Sequence, residues 1–291
     1  MNETFIQLLN SIVYSMLLFM MASGLSLIFG QLNFINLSHG SFYVLGGYVA
    51  YSILSYSKSF LLSIILAPLI VGLFGVILEY VFLRRLYGHK RHLDQVLFSM
   101  GIALITADIV TMNWGTYVIN IRTPSILSTA ILILDTEFPL YRIVIILVGL
   151  CTAISLWTLI YKTHLGTILR AGVFDIKMVS ESGINVQPIF TSIFGLGAAL
   201  AALAGAIGAP LHSLYPGLQF EILILTLAVV IIGGIGTLKG AFMGSLLIGT
   251  VDTFGKALFP EISLFLIFAL MVIILIMKPS GLFGNTYHYE S

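Results

Sequence analysis

Apolar runs of about 20 residues recur along almost the whole chain, and a helix of that length crosses a bilayer. The runs lie at about 8–29, 37–54, 60–83, 93–112, 139–161, 188–209, 220–232, from a glycine-rich turn to about 252, and at 262–277. Only 9% of the 291 residues are charged, against roughly 25% in soluble domains. The sequence therefore predicts an all-α integral membrane protein, a polytopic bundle of about eight to nine transmembrane helices forming one domain over 1–291.

Several functional classes find no support in the sequence. The formal net charge of +1 gives no basis for nucleic-acid binding. The single cysteine, Cys151, excludes an internal disulfide. The glycine-rich turn at 233–240 contains Gly233, Gly234 and Gly236 but lacks the Gly-Lys-Ser/Thr ending of a phosphate-binding loop. We interpret it as a tight connection between helices, and we expect neither a metal site nor enzymatic chemistry in this chain.

The polar interval at 163–186 stands out between two apolar runs. Its apolar residues recur with nearly helical spacing, Lys177 and Glu181 lie four residues apart, and Gly183 ends the pattern. We therefore predict a short amphipathic helix at a membrane surface. Such a helix either rests on lipid or docks a soluble partner, and the residues of the interval itself leave both interpretations open.

The stretch 33–50 is polar and glycine-rich although it lies at membrane depth. The residues concerned are Asn33, Asn36, Ser38, His39, Gly40, Ser41, Tyr43, Gly46 and Gly47. Broken helices of this kind often belong to a transport path, because irregular backbone is tolerated in a membrane only inside protein or beside water. Alternatively, the glycines provide a close helix–helix contact. The segment 37–54 either crosses the membrane or re-enters it.

Ionisable residues inside membrane helices are costly and suggest function by default. Glu79 lies close to Arg84, and Asp252 lies four residues before Lys256, so local ion pairs account for both acids. Asp108 has no partner nearby in the sequence. We therefore keep Asp108 as a candidate that faces either a transport path or a neighbouring subunit.

Lysine and arginine positions predict the orientation of the chain. If every segment crosses, nine of the 13 basic residues lie on one side, and the C-terminus lies there too. That side is then cytoplasmic. The nine residues are Arg84, Arg85, Lys90, Arg91, Lys162, Arg170, Lys177, Lys239 and Lys278.

Several stretches in the same order resemble one family, the membrane permease subunits of bacterial branched-chain amino acid ABC importers. They are GLSLIFG at 24–30, INLSHGSFYVLGGYVA at 35–50, HLGTILRAGVFDIKMVSESGINV at 164–186, FGLGAALAALAGAIGAP at 194–210, AVVIIGGIGTLKGAFMGSLLIG at 228–249 and KPSGLFG at 278–284. Together they cover nearly the full length. The INLSHGSFY form is more similar to one of the two paralogous permeases of such importers.

The resemblance implies an inner-membrane permease that pairs with a second, paralogous permease, two cytoplasmic ATPases that bind ATP and magnesium, and an external substrate-binding protein. It implies that the 163–186 segment couples to the ATPase. As a hypothesis from the residues themselves, the polar stretch and Asp108 belong to the translocation path. The coupling residues that the resemblance indicates are Arg170, Asp175, Lys177, Met178, Glu181, Gly183, Ile184 and Asn185. The chain departs from the family pattern at Val179, where relatives usually carry alanine.

Two alternatives remain open at this point. Permeases for urea or short-chain amides belong to the same family and have a similar INLSHG stretch, so the cargo can differ. A stand-alone channel or secondary transporter would need no ATPase. The absence of paired intramembrane charges for ion coupling in the sequence argues against this second alternative.

Overall fold

The computed structural model describes residues 2–32, 34, 36–87, 92–124, 127–133, 136–174 and 176–284. Within these residues the chain forms eleven α-helices and one β-hairpin. The helices are α1 Asn2–Leu32, α2 His39–Ser57, α3 Phe60–Val81, α4 His92–Trp114, α5 Leu140–Lys162, α6 His164–Phe174, α7 Ile176–Glu181, α8 Val186–Gly208, α9 Leu218–Gly233, α10 Leu238–Leu258 and α11 Ser263–Met277. The strands are β1 Ala130–Ile133 and β2 Thr136–Pro139.

The helical bundle confirms an all-α, polytopic membrane protein. Among the described residues, α1, α3, α4, α5, α8 and α11 are long and apolar enough to cross a bilayer. The α9–α10 pair meets the same criteria only when its two helices are taken together, and they are bent by 120° at their junction. Six helices, or seven with this pair, therefore qualify by length and composition, and the predicted total of eight to nine is not confirmed.

The connection between α4 and α5 contains a β-hairpin that was not predicted from the sequence. Residues 130–133 form β1, which pairs antiparallel with β2 in the register Ala130↔Pro139 to Ile133↔Thr136. The hairpin leads directly into α5. We use it to name one end of the bundle the hairpin end. The opposite end, where α6 and α7 lie, is the α6–α7 end.

Helix α8 lies at the centre of the bundle and packs against α1, α2 and α3. It is rich in glycine and alanine, and most of its second half is buried. A methyl group at Gly24 of α1 would lie 2.6 Å from the carbonyl oxygen of Gly197. A methyl group at Gly46 of α2 would collide with the backbone of Ala202. The small residues therefore let the backbones of three helices approach one another closely.

Helix α2 begins inside the bundle. The His39 Nε2 atom lies 3.0 Å from the carbonyl oxygen of Met21, eleven residues before the end of α1 and so about 16 Å from that end. From there α2 runs to the hairpin end, where Trp114 Nε1 donates to Ser52 Oγ at 2.8 Å. The described residues between α1 and α2, at 34 and 36–38, are not helical, and α2 itself does not reach the α6–α7 end.

Helix α9 also begins inside the bundle. The backbone oxygen of Gln219, near the start of α9, lies against Gly40 in the first turn of α2. The segment before it reaches the hairpin end, because Leu214 forms a β-bridge with Ile119. The two interrupted helices therefore start next to each other in the interior of the protein.

The close approach of α2 and α8 predicts a specific destabilisation. We expect Gly46→Ala to lower the free energy of unfolding by about 1–3 kcal/mol, because the new methyl group must push the α8 backbone away. The melting temperature of the purified protein measures this effect.

The matched control for that variant is Gly101→Ala in α4, where an added methyl group meets no atom within 4 Å. We expect this change to be neutral or to stabilise the helix by up to about 1 kcal/mol. Equal melting temperatures for Gly46→Ala and the unmodified protein would contradict the prediction.

Candidate functional site

The predicted amphipathic helix consists of two short helices, α6 and α7. Helix α6 begins where Thr163 Oγ1 accepts a hydrogen bond from the backbone N–H of Gly166 at 3.1 Å. A side chain at Gly166 would collide with the carbonyl oxygens of Leu159 and Ile160. Gly166 therefore allows α6 to rest directly on the last turn of α5. Gly166 was not identified from the sequence, although a glycine two positions into an amphipathic helix can indicate a close backbone contact.

Arg170 fixes α6 to α5. Its Nη1 atom donates to the carbonyl oxygen of Ile160, and its guanidinium carbon lies 5.5 Å from the centre of the Tyr161 ring. Cations near the C-terminal carbonyls of a helix complement its dipole. The Arg170 side chain therefore holds α6 against α5 within this chain.

Most of the described side chains of α7, and the two residues after it, are exposed. Met178 is 67% exposed, and Ser180, Glu181, Ser182 and Gly183 are also exposed. Val179 is buried, so the position at which the chain departs from the family pattern faces the protein interior. Gly183 has φ +82, which glycine adopts without strain and which ends the helix. Asp175 lies outside the described residues.

Residues after α7 connect it to the start of α8. Asn185 Oδ1 accepts a hydrogen bond from Gln187 N at 3.1 Å and so caps α8. Ile184 is half-buried beside it. The connection from α7 to α8 is therefore short, four residues at 182–185.

A buried carboxylate joins the start of α8 to the end of α3. Glu79 is fully buried. Thr191 Oγ1 of α8 donates to its Oε2 at 2.6 Å, Tyr87 Oη donates to its Oε1 at 3.1 Å, and Arg84 Nε lies 3.7 Å from the same Oε1. Burial, and then the Glu79 carboxylate, raise the pKa of Tyr87 well above its ordinary value, so this phenol remains a proton donor.

The local Glu79–Arg84 ion pair predicted from the sequence is confirmed, but it is only part of this cluster. Arg84 Nη2 also donates to Thr191 Oγ1 at 2.7 Å. Thr191 is 112 positions from Glu79 in the sequence, so no local pattern could indicate the contact. We call Glu79, Arg84, Tyr87 and Thr191 the Glu79 cluster.

The polar stretch before and within α2 is deeply buried. Asn36, Ser38, His39, Ser41 and Tyr43 are each at most 3% exposed. Asn36 Oδ1 accepts hydrogen bonds from Ser38 N at 3.1 Å and from Ser38 Oγ at 2.6 Å, which is the turn that starts α2. Asn36 and Ser38 therefore have a structural role. Asn33 lies outside the described residues.

The starts of α2 and α9 lie side by side, and we call this place the α2–α9 junction. Several polar atoms there have no hydrogen-bond partner among the described residues. They are Asn36 Nδ2, His39 Nδ1, Ser41 Oγ and Gln219 Nε2. Buried polar groups are normally paired, and exceptions frequently mark a functional site. Gln219, at the start of α9, was not identified from the sequence, since a single glutamine carries no recognisable signal.

Asp108 does not join these residues. It lies on α4 and is exposed on the outer side of the bundle. Asp252, in contrast, is nearly buried and pairs with Lys256 Nζ at 2.7 Å, as the four-residue spacing predicts.

The glycine-rich turn connects α9 to α10 at the α6–α7 end. Gly234 and Gly236 have φ values of +103 and +77, a region that favours glycine. A methyl group at Gly236 would lie 2.9 Å from the Cα atom of Gly30, near the end of α1. Phe283 N also donates to the carbonyl oxygen of Gly233 at 2.9 Å. The turn is thus a packing junction for α1, α9, α10 and the segment after α11.

Within the described residues, no group of three or more histidine, cysteine, aspartate and glutamate side chains is placed to hold a metal ion. The site instead consists of an interrupted, polar pair of helices in the interior and an exposed helix at one end, within a bundle of apolar helices. This arrangement is that of a multi-pass membrane transport protein.

The particular family follows from comparison with known proteins. Residues 7–275 match the family model described as "Branched-chain amino acid transport system / permease component", and the chain belongs to this family. The family consists of transport subunits rather than enzymes, and it places the chain among the inner-membrane components of ABC transporters.

Two full-length relatives illustrate the match. The high-affinity branched-chain amino acid transport system permease protein BraD of Pseudomonas aeruginosa is 26% identical over 295 residues, which cover 96% of this chain and 95% of BraD. The corresponding permease protein LivH of Salmonella typhimurium is 26% identical over 305 residues, or 98% of each chain. The ribose import permease protein RbsC of Bacillus subtilis is 34% identical over 106 residues, about one third of each chain. No solved structure matches this chain.

The Glu79 cluster predicts a stability effect at the start of α8. We expect Thr191→Val to lower the free energy of unfolding by about 1–3 kcal/mol, because a buried carboxylate oxygen loses its donor. Thermal unfolding of the purified protein measures the change. The matched control is Thr158→Val on the exposed side of α5, for which we expect a change within about 0.5 kcal/mol. Equal melting temperatures for the two valine variants would contradict the prediction.

Proposed function

We propose that this chain is a permease subunit of an ATP-driven importer and forms part of the translocation path for branched-chain, hydrophobic amino acids. The observation that carries the proposal is the full-length family match. Both full-length relatives are named as permeases for these amino acids. An exposed α7 held between α6 and α8 gives such a subunit a surface for an energy-supplying partner.

We further propose the partners that such an importer requires. They are a second, paralogous permease, two cytoplasmic ATPases carrying ATP and magnesium, and an extracytoplasmic binding protein that delivers the substrate. The nucleotide would bind to the ATPases and not to this chain. The ATPase contact would involve Met178, Glu181 and Gly183 on the exposed side of α7, with Asp175 and Lys177 in the same segment.

The proposed coupling follows the contacts from α7 into the bundle. ATP-driven movement of the ATPase displaces α7, and Arg170 and Gly166 make α6 move with the end of α5. Asn185 and the Glu79 cluster pass the displacement to α8 and α3. Because α8 packs against α2 through backbone contacts, its movement alters the junction between α2 and α9. Alternating exposure of this junction to the two sides would carry the substrate across.

The translocation path would run along that junction. His39, Ser41, Tyr43 and Gln219 would line it, and Asn36 and Ser38 would hold the start of α2 in place. The junction is closed on all sides in this conformation, as its low exposure indicates. Polar atoms without partners then become available to the polar groups of a passing amino acid.

We also propose nine membrane crossings, with the C-terminus in the cytoplasm. The six long helices, together with α2, α9 and α10, make nine. The alternation of their contacts between the hairpin end and the α6–α7 end supports this count. The basic residues Lys162, Arg170 and Lys239 then lie at the cytoplasmic end, as the positive-inside rule requires. The N-terminus would lie outside.

The second permease would cover the side of α4 that carries Asp108. A carboxylate on a lipid-facing helix surface is costly, and a neighbouring protein subunit removes that cost by pairing with it. This assigns Asp108 to a subunit contact rather than to the path within this chain.

The ATPase contact can be tested with one substitution on α7. We expect Met178→Glu to reduce the recovery of ATPase subunits with the tagged chain by about 30-fold or more, because a charge in the centre of an interface costs about 2 kcal/mol or more. Affinity purification from native membranes with quantitative mass spectrometry measures the recovery.

The matched control places the same charge at the other end of the bundle. Leu132 is 72% exposed in β1, so Leu132→Glu tests the effect of an added exposed carboxylate alone. It should leave ATPase recovery unchanged. If the unmodified chain purifies without any ATPase and still moves solute in liposomes, the importer proposal is wrong and a stand-alone channel or transporter is favoured.

The path can be tested at Ser41, whose buried hydroxyl has no hydrogen-bond partner among the described residues. Ser41→Ala therefore removes no bond that holds the fold, and the melting temperature should not fall. We expect uptake of radiolabelled leucine by the reconstituted importer to fall about two- to ten-fold, the value of one lost hydrogen bond.

The control is Ser245→Ala on α10, also a buried serine, whose hydroxyl donates to the carbonyl oxygen of Phe242 at 2.7 Å. It should leave uptake unchanged. Normal uptake in Ser41→Ala, together with normal uptake in Gln219→Ala, would remove the α2–α9 junction from the path.

A further inference from the structure

An open apolar groove lies between α1, α5 and α10 on the outer side of the bundle. It has a volume of about 340 Å³, and Phe19, Ile154, Trp157 and Met243 are among the residues that line it. Phe19 of α1, which is fully buried, forms part of its floor. The groove is thus a concave surface on a side of the protein that faces either lipid or another subunit.

A second apolar hollow continues the groove along α10. It has a volume of about 410 Å³ and shares Met243 and Phe283 with the first. Together the two extend along α10 from Leu238 to Thr250, a length of about 18 Å. One leaflet of the hydrocarbon core is about 15 Å thick, so the groove matches one leaflet.

Three cations lie at the α6–α7 end of the groove. Lys239 lines it directly. Lys162 Nζ lies 5.7 Å from the ring centre of Trp157, and the guanidinium group of Arg170 lies 5.5 Å from the ring centre of Tyr161. Trp157 and Tyr161 both line the groove, and none of the described residues that line it is acidic. The groove therefore has an apolar body and a positively charged mouth.

We propose that this groove binds an anionic phospholipid. An acyl chain would lie along α10, and the phosphate headgroup would contact Lys239 and Lys162 at the mouth. Aromatic side chains beside basic ones are typical of the level of the lipid headgroups. Basic pockets between membrane helices on the cytoplasmic side bind anionic headgroups.

The charges favour a lipid over a second subunit. A protein partner that covered this groove would need carboxylates opposite Lys239, Lys162 and Arg170, whereas the headgroup of an anionic lipid supplies the negative charge at the level where these cations lie. The occupant also has a structural consequence, because the groove contacts α5 and α10 and Arg170 fixes α6 to α5. A bound lipid would hold α5, and with it α6, in a fixed position.

Native mass spectrometry tests the proposal on the tagged chain purified with the subunits that accompany it. The complex is placed in nanodiscs with equal amounts of phosphatidylglycerol and phosphatidylethanolamine. We expect phosphatidylglycerol to remain bound after gentle activation. Each lysine near an anionic headgroup contributes about five-fold to the affinity, so Lys162→Gln/Lys239→Gln should reduce the retained phosphatidylglycerol by about 25-fold.

The control is Lys58→Gln/Arg122→Gln, which removes two exposed cations at the hairpin end and should retain the lipid. Equal retention in both double variants, or no preference between the two phospholipids, would overturn the proposal. A photo-crosslinking residue at Ile154 adds a direct readout. It should become attached to lipid, and attachment to another permease subunit would show that protein covers the groove.

Discussion

The close backbone contact of α8 with its neighbours is the constraint on which the rest of the structure depends. Glycine and alanine on α8 meet glycine on α1 and α2, so that Gly46 and Gly24 touch the backbone of α8 directly. In a membrane the hydrophobic effect does not drive helices together, and van der Waals packing must do so instead. The same contact determines where α2 sits, because a helix with larger side chains at these positions could not enter the interior at all.

An interrupted helix inside a membrane exposes backbone groups that need partners. In α2 the side chain of Asn36 supplies one acceptor, and the hydroxyl of Ser99 on α4 accepts from Leu37 N at 3.1 Å. The protein thus satisfies the break with its own side chains. Among the described residues, four side-chain atoms beside the junction of α2 and α9 have no hydrogen-bond partner: Asn36 Nδ2, His39 Nδ1, Ser41 Oγ and Gln219 Nε2.

The apolar helices could be predicted from the sequence because hydropathy depends on each segment alone. The bounds of α3, α4, α5 and α8 differ from the predicted runs by about two residues. The contacts that join distant segments could not be predicted. Thr191 reaches Glu79 only in the folded chain, and the depth at which α2 starts depends on packing. Hydropathy also gave no sign of β1, because four apolar residues are equally compatible with a loop or a strand.

The exposed surface of α7, which we propose contacts an energy-supplying partner, and the interior polar groups lie on separate helices, and α8 contacts both. Val179 faces inward while Met178 faces outward, so substitutions at these neighbouring positions have different structural consequences. Substitutions on the outer side of α7 can therefore accommodate a changed partner surface without altering the packing around Val179. Under the proposed function, a few substitutions on the outer side of α7 would adapt the chain to a different partner subunit. Substitutions among the interior polar groups would change the substrate independently.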